Sequence, residues 1–282
     1  MNISDILLGA AIIIAAPAVN RVGEAKAQQI HPDQVVVDSP FVHDPVLAYE
    51  NGKYYLYSTG HGISQMTSAD RKHWTLCREG VLKNHEIPAW THDSVPGFHT
   101  HIWAPDVIHY RNKWYLAYSC STFGKNTSAI GLLSNTSLAN MNGWKDEGCI
   151  LASEGKRDNW NAIDPNFVID DKGNPWMTWG SFWDGIQLVK LDKKTMHVKK
   201  GAKPQTIARR HAFGDASAEL NPTSKFAGTN AIEAPFIMKH GDYYYLFVSW
   251  DYCCRGIKSN YRVAVGRSKN VAGPYLDKNG KD

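Results

Sequence analysis

The sequence predicts an all-β fold of the propeller class, and three observations lead to this prediction. Prolines at 45, 105, 165 and 235 recur with spacings of 60, 60 and 70 residues. Each is followed by an apolar, aromatic-rich strand, a turn and a second strand. Apolar residues alternate and turn residues recur every ~8 to 12 positions, so almost no helix is expected. Repeats of this length, built from short antiparallel strands, are typical of propeller blades.

The predicted elements follow one another along the chain without a low-complexity linker. They are a first short strand at 34–38, blade one at about 41–82 with a single strand and a polar turn over 60–70, a long loop at about 83–100, blade two at about 101–151, blade three at about 161–207 and blade four at about 231–275. Loops as long as the one at 83–100 are often functional. A single propeller domain over 28–282 is therefore predicted.

The composition is that of an ordinary globular chain. Of the 282 residues, 43% are apolar and 21% are charged, and the formal net charge is +4 with both signs scattered. Because no block of Lys or Arg stands out, a nucleic-acid partner is not expected. The 10 Trp and 13 Tyr exceed what a core of this size needs. They can stack on sugars or fill strands, and the composition leaves both uses open.

The first 27 residues differ from the rest. Ile6 to Val19 is almost continuously apolar, and Ala25-Lys26-Ala27 fits a cleavage site with small residues. The apolar run is short for a membrane span, so a signal peptide over 1–27 is predicted. The protein would then be secreted or periplasmic, without stable membrane insertion after cleavage. A retained anchor is the alternative, because the first five residues contain Asp5 and no Lys or Arg.

The cysteines do not form a recognisable framework. There are five, at positions 77, 120, 149, 253 and 254, and an odd number at irregular spacing does not indicate a set of disulfides. Adjacent residues of a strand point to opposite faces, so Cys253 and Cys254 are not expected to bind one metal ion. There are two interpretations: one cysteine is buried and the other partly exposed, or the two form a vicinal disulfide.

Three acids occupy corresponding places in the repeats. Asp44, Asp164 and Glu233 each lie one or two positions before the proline that opens a blade. The first strand of every propeller blade lines the central channel, so these side chains are expected to converge. One protonated and one ionised carboxyl are what a glycosidase needs, and a third acid can keep the donor's pKa high. Asp106 follows its proline and points the other way, which predicts a structural role.

Other side chains near these strands could contact a sugar. Trp103 could form a stacking wall or pack in the core. Phe123 lies among small polar residues, and Asn161 could reach a sugar hydroxyl. His43 beside Asp44 could bind substrate or merely pack. Ser181 lies at a similar height in blade three.

Longer motifs carry a resemblance to a known family. They are His43-Asp44-Pro45, Trp103-Ala104-Pro105-Asp106, the polar loop 121–128, Asn161-Ala162-Ile163-Asp164-Pro165, the segment 180–186, Glu233-Ala234-Pro235-Phe236 and Asp251-Tyr252-Cys253-Cys254-Arg255-Gly256. They span about 40–275, and together they resemble glycoside hydrolase family 43, in particular its endo-1,5-α-L-arabinanases. The segment 180–186 and the Cys-Cys-Arg-Gly string are more specific than the acids alone.

The resemblance implies a five-bladed propeller and hydrolysis with inversion. Asp44 would be the general base, Glu233 the general acid, and Asp164 the residue that tunes the acid's pKa and orients the sugar. The substrate-binding residues that it implies are His43, Trp103, Phe123, Gly124, Asn161, Ala162, Ile163, Ser181 and Phe182. The expected substrate is arabinan, including the side chains of pectin, and a monomer is expected.

In one respect the chain departs from the family pattern. Only about four blades are found in the chain, so a C-terminal blade is expected to be missing. The chemistry requires no cofactor, and no metal ligand is expected in this chain. The complete family fold can hold a structural calcium ion, whose nearby histidine would lie beyond residue 282. The alternatives are an exo-acting arabinofuranosidase or β-xylosidase on the same scaffold, and a truncated glycan-binding propeller without catalysis.

Overall fold

The computed structural model describes residues 34–83, 86–211 and 227–281. Within them, seventeen strands form four antiparallel sheets, and each sheet is one blade. The all-β propeller and its four blades are thereby confirmed. The predicted signal peptide at 1–27 lies outside the described residues. In the described part of the chain, no helix has the length and apolar character to cross a bilayer.

The first two blades have five strands each. Blade one contains β1 (Gln34–Val37), β2 (Val46–Glu50), β3 (Lys53–Ser58), β5 (Ser64–Ser68) and β6 (Trp74–Cys77). Blade two contains β4 (Gly60–His61), β7 (His101–Tyr110), β8 (Lys113–Cys120), β9 (Ser128–Asn135) and β10 (Lys145–Ser153). In blade one the strands follow in the order β2, β3, β5, β6 and β1. The predicted first strand at 34–38 therefore lies at the edge of blade one.

The last two blades are smaller. Blade three contains β11 (Asn166–Ile169), β12 (Pro175–Trp179), β13 (Ile186–Lys190) and β14 (Gln205–Ala208). Blade four contains β15 (Ile232–His240), β16 (Tyr243–Trp250) and β17 (Arg262–Ser268). Helix is confined in the described residues to α1 (Thr91–Ser94) and a 3-10 turn at Gly256–Lys258. The near absence of helix is confirmed.

The prediction of a single strand over 60–70 is wrong. β4 pairs with the beginning of β7, with Gly60 opposite Ile102, while β5 remains in blade one. The chain changes sheets at Gly62 and Ile63, which both have left-handed backbone with φ of 64°. Left-handed backbone is costly for a β-branched residue. Ile63 is fully buried, and packing in the core holds it there.

Apolar side chains fill the three spaces between successive blades. Tyr57 and Tyr118 are buried between blades one and two, Trp179 between blades two and three, and Tyr244 and Leu246 between blades three and four. Blades one and four each have a second face with exposed apolar side chains. These are Leu47 and Tyr49 on blade one, and Phe236, Met238, Val263 and Val265 on blade four.

A line of buried polar contacts also joins three blades. Oδ2 of Asp106 accepts the N–H of Phe167 at 2.7 Å and the side-chain amide of Asn166 at 3.2 Å. Asn166 in turn accepts the N–H of Ile237 through Oδ1 at 2.8 Å. Burial raises the pKa of Asp106 to about 7. Asp106 thus links blades two and three, and its predicted structural role is confirmed.

Candidate active site

The residue before each of the four blade-opening prolines has left-handed backbone. The φ values are 50° at Asp44, 41° at Ala104, 58° at Asp164 and 51° at Ala234. Such backbone costs on the order of 1–3 kcal/mol per residue, so the surrounding fold must hold it in place. Because the turn is repeated in all four blades, it gives the first strand of each the same beginning.

The expected equivalence of the three acids holds for only two of them. Asp44 and Asp164 occupy the left-handed position, but Glu233 lies one residue earlier, where the other blades have His43, Trp103 and Ile163. The backbone itself is not shifted, because the pairing irregularity between Glu233 and Phe236 recurs between Trp103 and Asp106 in blade two. Glu233 therefore reaches the site from a different point on its blade.

Asp164 is held between blades two and four. Its N–H donates to Ser119 Oγ at 3.0 Å, and its Oδ2 accepts the N–H of Ala234 at 3.1 Å. Burial raises the pKa of Asp164 well above its usual range, and the charges of Glu233 and then Asp44 raise it further. Because the charges of both acids act on Asp164, Asp44 and Glu233 lie near it.

Both carboxylate oxygens of Glu233 accept a hydrogen bond. Ser181 Oγ donates to Oε2 at 2.6 Å, and the Tyr261 hydroxyl donates to Oε1 at 2.7 Å. Ser181 and Glu233 also form an isolated antiparallel bridge, which ties the loop after β12 to blade four. The orientation of the Glu233 carboxyl group is therefore fixed from two sides.

Asp44 has a more open environment. Thr59 Oγ1 donates to its Oδ2 at 2.6 Å, and the same Thr59 oxygen accepts the N–H of Ala104 at 2.9 Å. His43 Nε2 lies 3.4 Å from Oδ1 of Asp44. The Asp44 side chain is 35% exposed, so water can reach it. An accessible carboxylate is suited to activating a water molecule.

The predicted sugar contacts on blades one and two lie on or near the surface. His43 is exposed beside Asp44, and Trp103 is half-buried. Phe123 is 78% exposed. The backbone at Gly124 is left-handed, with φ of 74°, and a side chain there would meet no other atom within 4 Å. Phe123 therefore presents an aromatic surface on an open loop.

The predicted contacts just before Asp164 are buried. Ala162 is fully buried in the core between blades two and three, and its N–H donates to Ser153 Oγ at 2.9 Å. Its side chain is thus a packing residue and has no surface to offer a sugar. Ile163 is also buried. Asn161 is buried too, and its Oδ1 has no hydrogen-bond partner within the described ranges.

Ser181 and Phe182 lie beside the acids in different ways. Ser181 is buried and acts on Glu233. Phe182 is half-buried, and its ring centroid lies 5.8 Å from that of Tyr252. The loop that carries Tyr252 also contains a disulfide between Cys253 and Cys254, so the vicinal disulfide is the interpretation that the fold supports. Arg255 lies over the Tyr252 ring at 3.9 Å.

Sequence reasoning missed three residues that hold the acids. Thr59 and Ser119 each follow a blade-opening proline by 14 positions, and an alignment of the repeats would have found them. Tyr261 comes from the irregular loop between β16 and β17, and no local pattern marks it.

Within 34–83, 86–211 and 227–281, no three His, Cys, Asp or Glu side chains come together as a metal-binding group. Rings of His61 and His101 do lie close, with centroids 5.2 Å apart. Burial, with the charges of His61 and His43, lowers the pKa of His101.

The sequence matches a known family over almost all of the residues that the structure describes. Residues 34–282 match the family described as Glycosyl hydrolases family 43.

Two curated relatives share more than two fifths of their aligned residues with this chain. One is the extracellular exo-α-(1→5)-L-arabinofuranosidase of Cellvibrio japonicus, with 44% identity over 86% of this chain and 68% of the relative. The other is the extracellular endo-α-(1→5)-L-arabinanase 1 of Bacillus subtilis, with 42% identity over 85% of this chain and 69% of the relative.

Solved structures show the same fold. An exo-1,5-α-L-arabinanase from a bovine ruminal metagenomic library has 54% identity and a TM-score of 0.77, covering 87% of this chain and 76% of the other. The Cellvibrio cellulosa α-L-arabinanase, solved as a complex with arabinohexaose, has 43% identity and a TM-score of 0.77, covering 86% and 75%.

Proposed function

Because the chain belongs to glycosyl hydrolases family 43 and is a glycoside hydrolase, we propose that it cleaves α-1,5-L-arabinofuranosidic bonds of arabinan. The single observation that carries the proposal is the convergence of three carboxyl groups in unlike environments. Asp44 is accessible, Asp164 is half-buried with a raised pKa, and Glu233 is held by two hydroxyl groups. Pairs of carboxyl groups with separated pKa values are what acid–base hydrolysis of glycosides uses.

The roles follow from those environments. Asp44 takes a proton from a water molecule as that water attacks the anomeric carbon. Glu233 gives its proton to the departing sugar oxygen. Asp164 is the neighbouring acid whose negative charge, when it ionises, disfavours loss of the Glu233 proton. General acid and base groups of this kind each contribute about 10² to 10⁴ in rate.

Internal cleavage is the mode of action that the motifs favour, and cleavage from chain ends is the second candidate. The second candidate is supported by two relatives with exo in their names, at 44% and 54% identity. The exposed Phe123 supports a sugar contact at the open rim in either mode. We further propose that the protein is secreted, which is supported by two relatives named extracellular and by the apolar segment near the N-terminus. It is proposed to act as a monomer.

The test is digestion of linear 1,5-α-L-arabinan, with arabinoxylan and xylan as parallel substrates, followed by sizing of the products. Early release of short oligosaccharides from arabinan supports internal cleavage. Release of arabinose or one short product from the first time point assigns the exo mode. Binding of arabinan without any product would identify a glycan-binding propeller and overturn the enzymatic proposal.

A further inference from the structure

Tyr261 lies where it can act on the Glu233 carboxyl group without being one of the three acids. Its hydroxyl donates to Glu233 Oε1 at 2.7 Å, while Ser181 occupies Oε2. Tyr261 is 41% exposed, while its hydroxyl points to the acid. Burial of that hydroxyl and the charge of Glu233 raise the pKa of Tyr261. Tyr261 therefore remains a hydrogen-bond donor at any working pH.

The loop that carries Tyr261 is closed on itself. Tyr252 and Asn260 exchange two hydrogen bonds, each of 3.1 Å, across the base of the loop. Asp251 at the start of the loop pairs with Arg210 and with Arg262, which directly follows Tyr261. These contacts fix both ends of the loop, so the position of the Tyr261 hydroxyl is determined by the fold.

We propose that Tyr261 is a positioning residue that assists proton donation by Glu233, an inference that rests on the proposed hydrolysis. A hydrogen bond to an ionised carboxylate is stronger than one to a neutral carboxylic acid. As Glu233 passes its proton to the departing oxygen, negative charge develops on its carboxyl group. The contact from Tyr261 then strengthens, and an interaction that strengthens in the transition state raises kcat.

The same contact affects the pH range over which Glu233 can donate its proton. By favouring the ionised form of Glu233, the Tyr261 hydroxyl opposes the repulsion between neighbouring carboxylates, which favours the protonated form. Asp164 and Tyr261 both interact electrostatically with Glu233. Asp251 and Arg262 on the same loop pair with each other. Loss of the hydroxyl should therefore raise the pKa of Glu233.

The test is the Tyr261→Phe variant, which keeps the ring and removes only the hydroxyl. With arabinan, kcat should fall about tenfold, because a hydrogen bond to a charged group is lost. The basic limb of the pH–rate profile should move to higher pH by roughly half to one unit. An aryl arabinofuranoside with a good leaving group should show a smaller fall. Tyr243→Phe, at the opposite end of β16, is the matched control and should leave both quantities unchanged.

A second measurement does not depend on hydrolysis. Titration of carbon-13-labelled glutamate carboxyl groups by NMR, with Glu233→Gln to assign the signal, should give a higher pKa for Glu233 in Tyr261→Phe than in wild type. An unchanged pKa and an unchanged profile, with only a lower melting temperature, would show that Tyr261 is merely structural and overturn the inference. An inactive wild-type protein with the expected NMR shift would refute the proposed hydrolysis and leave the Tyr261–Glu233 coupling supported.

Discussion

Ser181 and Glu233 are joined twice, by a 2.6 Å hydrogen bond from Ser181 Oγ to Oε2 and by an antiparallel bridge between their backbones. The two residues belong to different blades. Asp164 on blade three makes a further link, through the N–H of Ala234. Glu233 and Asp164 are therefore parts of one junction between blades three and four, whereas Asp44 approaches from blade one.

The first prediction separates the two catalytic roles. Glu233→Ala and Asp44→Ala should each lower kcat on arabinan by about 10² to 10⁴. An aryl arabinofuranoside with a good leaving group should partly restore Glu233→Ala, because its departure needs no proton. The same substrate should not restore Asp44→Ala, since attack by water still lacks its base.

Circular dichroism of both variants is the control for folding. Asp44 is exposed, and Glu233 is only partly buried, so neither substitution should unfold the protein. Equal restoration of the two variants by the activated substrate would contradict the assignment of acid and base.

The second prediction concerns Asp164→Asn. Asp164 and Glu233 repel each other when both are ionised, so the pair holds one proton more tightly than a lone carboxyl group would. Asp164→Asn removes that repulsion. The basic limb of the rate profile should then move to lower pH, opposite to the shift expected for Tyr261→Phe. The amide oxygen of Asn can still accept the N–H of Ala234, which keeps the junction intact.

The pH profile of kcat on arabinan measures this shift. Asp242→Asn, in the exposed turn between β15 and β16, removes a carboxylate far from the site and should leave the profile in place. A basic limb that stays in place in Asp164→Asn would show that Asp164 does not tune the acid.

The blades could be predicted because the repeat can be recognised in the sequence. The spacing of the prolines and the alternation of apolar residues follow directly from strand geometry, and Asp44 and Asp164 occupy the same position within that repeat. Glu233 lies one position earlier in the repeat, and Ala234 takes the left-handed position instead. A local pattern of a carboxylate near a proline does not show such an offset.

Contacts that depend on the tertiary path could not be predicted. Tyr261 reaches Glu233 through an irregular loop whose course is set by Asp251 and its arginine partners. The switch of Gly60 and His61 into blade two requires left-handed backbone at the β-branched Ile63, which local preference opposes. Packing and long-range hydrogen bonds decide both cases.

The third prediction concerns stability and Asp106. Burial raises the pKa of Asp106 to about 7 from a usual value near 3.8. A carboxyl group whose pKa is higher in the folded protein binds its proton more tightly there than in the unfolded chain. Its contribution to stability is therefore present at low pH and is lost as the pH rises from about 4 to about 7. Each unit of difference corresponds to about 1.4 kcal/mol.

Asp106→Asn should remove that dependence, because the amide does not titrate and its oxygen can still accept the N–H of Phe167. Chemical denaturation at pH 5 and pH 8 should show that wild type loses more free energy of unfolding between these values than the variant does. Asp192→Asn, in an exposed turn, is the control. Equal losses in wild type and Asp106→Asn would show that Asp106 is ionised in the folded protein across this range.

The last prediction is inversion at the anomeric carbon. An inverting enzyme must fit a water molecule between its base and the sugar, so its two carboxyl groups lie ~6.5–9.5 Å apart, against ~5–5.5 Å in a retaining one. Asp44 belongs to blade one and Glu233 to blade four, and the junction with blade three holds Glu233 but not Asp44. Asp44 is bound instead to Thr59 and is open to water, as a base that activates water must be. NMR of the first product released from an α-linked substrate should therefore show the β-anomer. The α-anomer appearing first, or a trapped glycosyl ester on Asp44, would establish retention and refute the assigned roles.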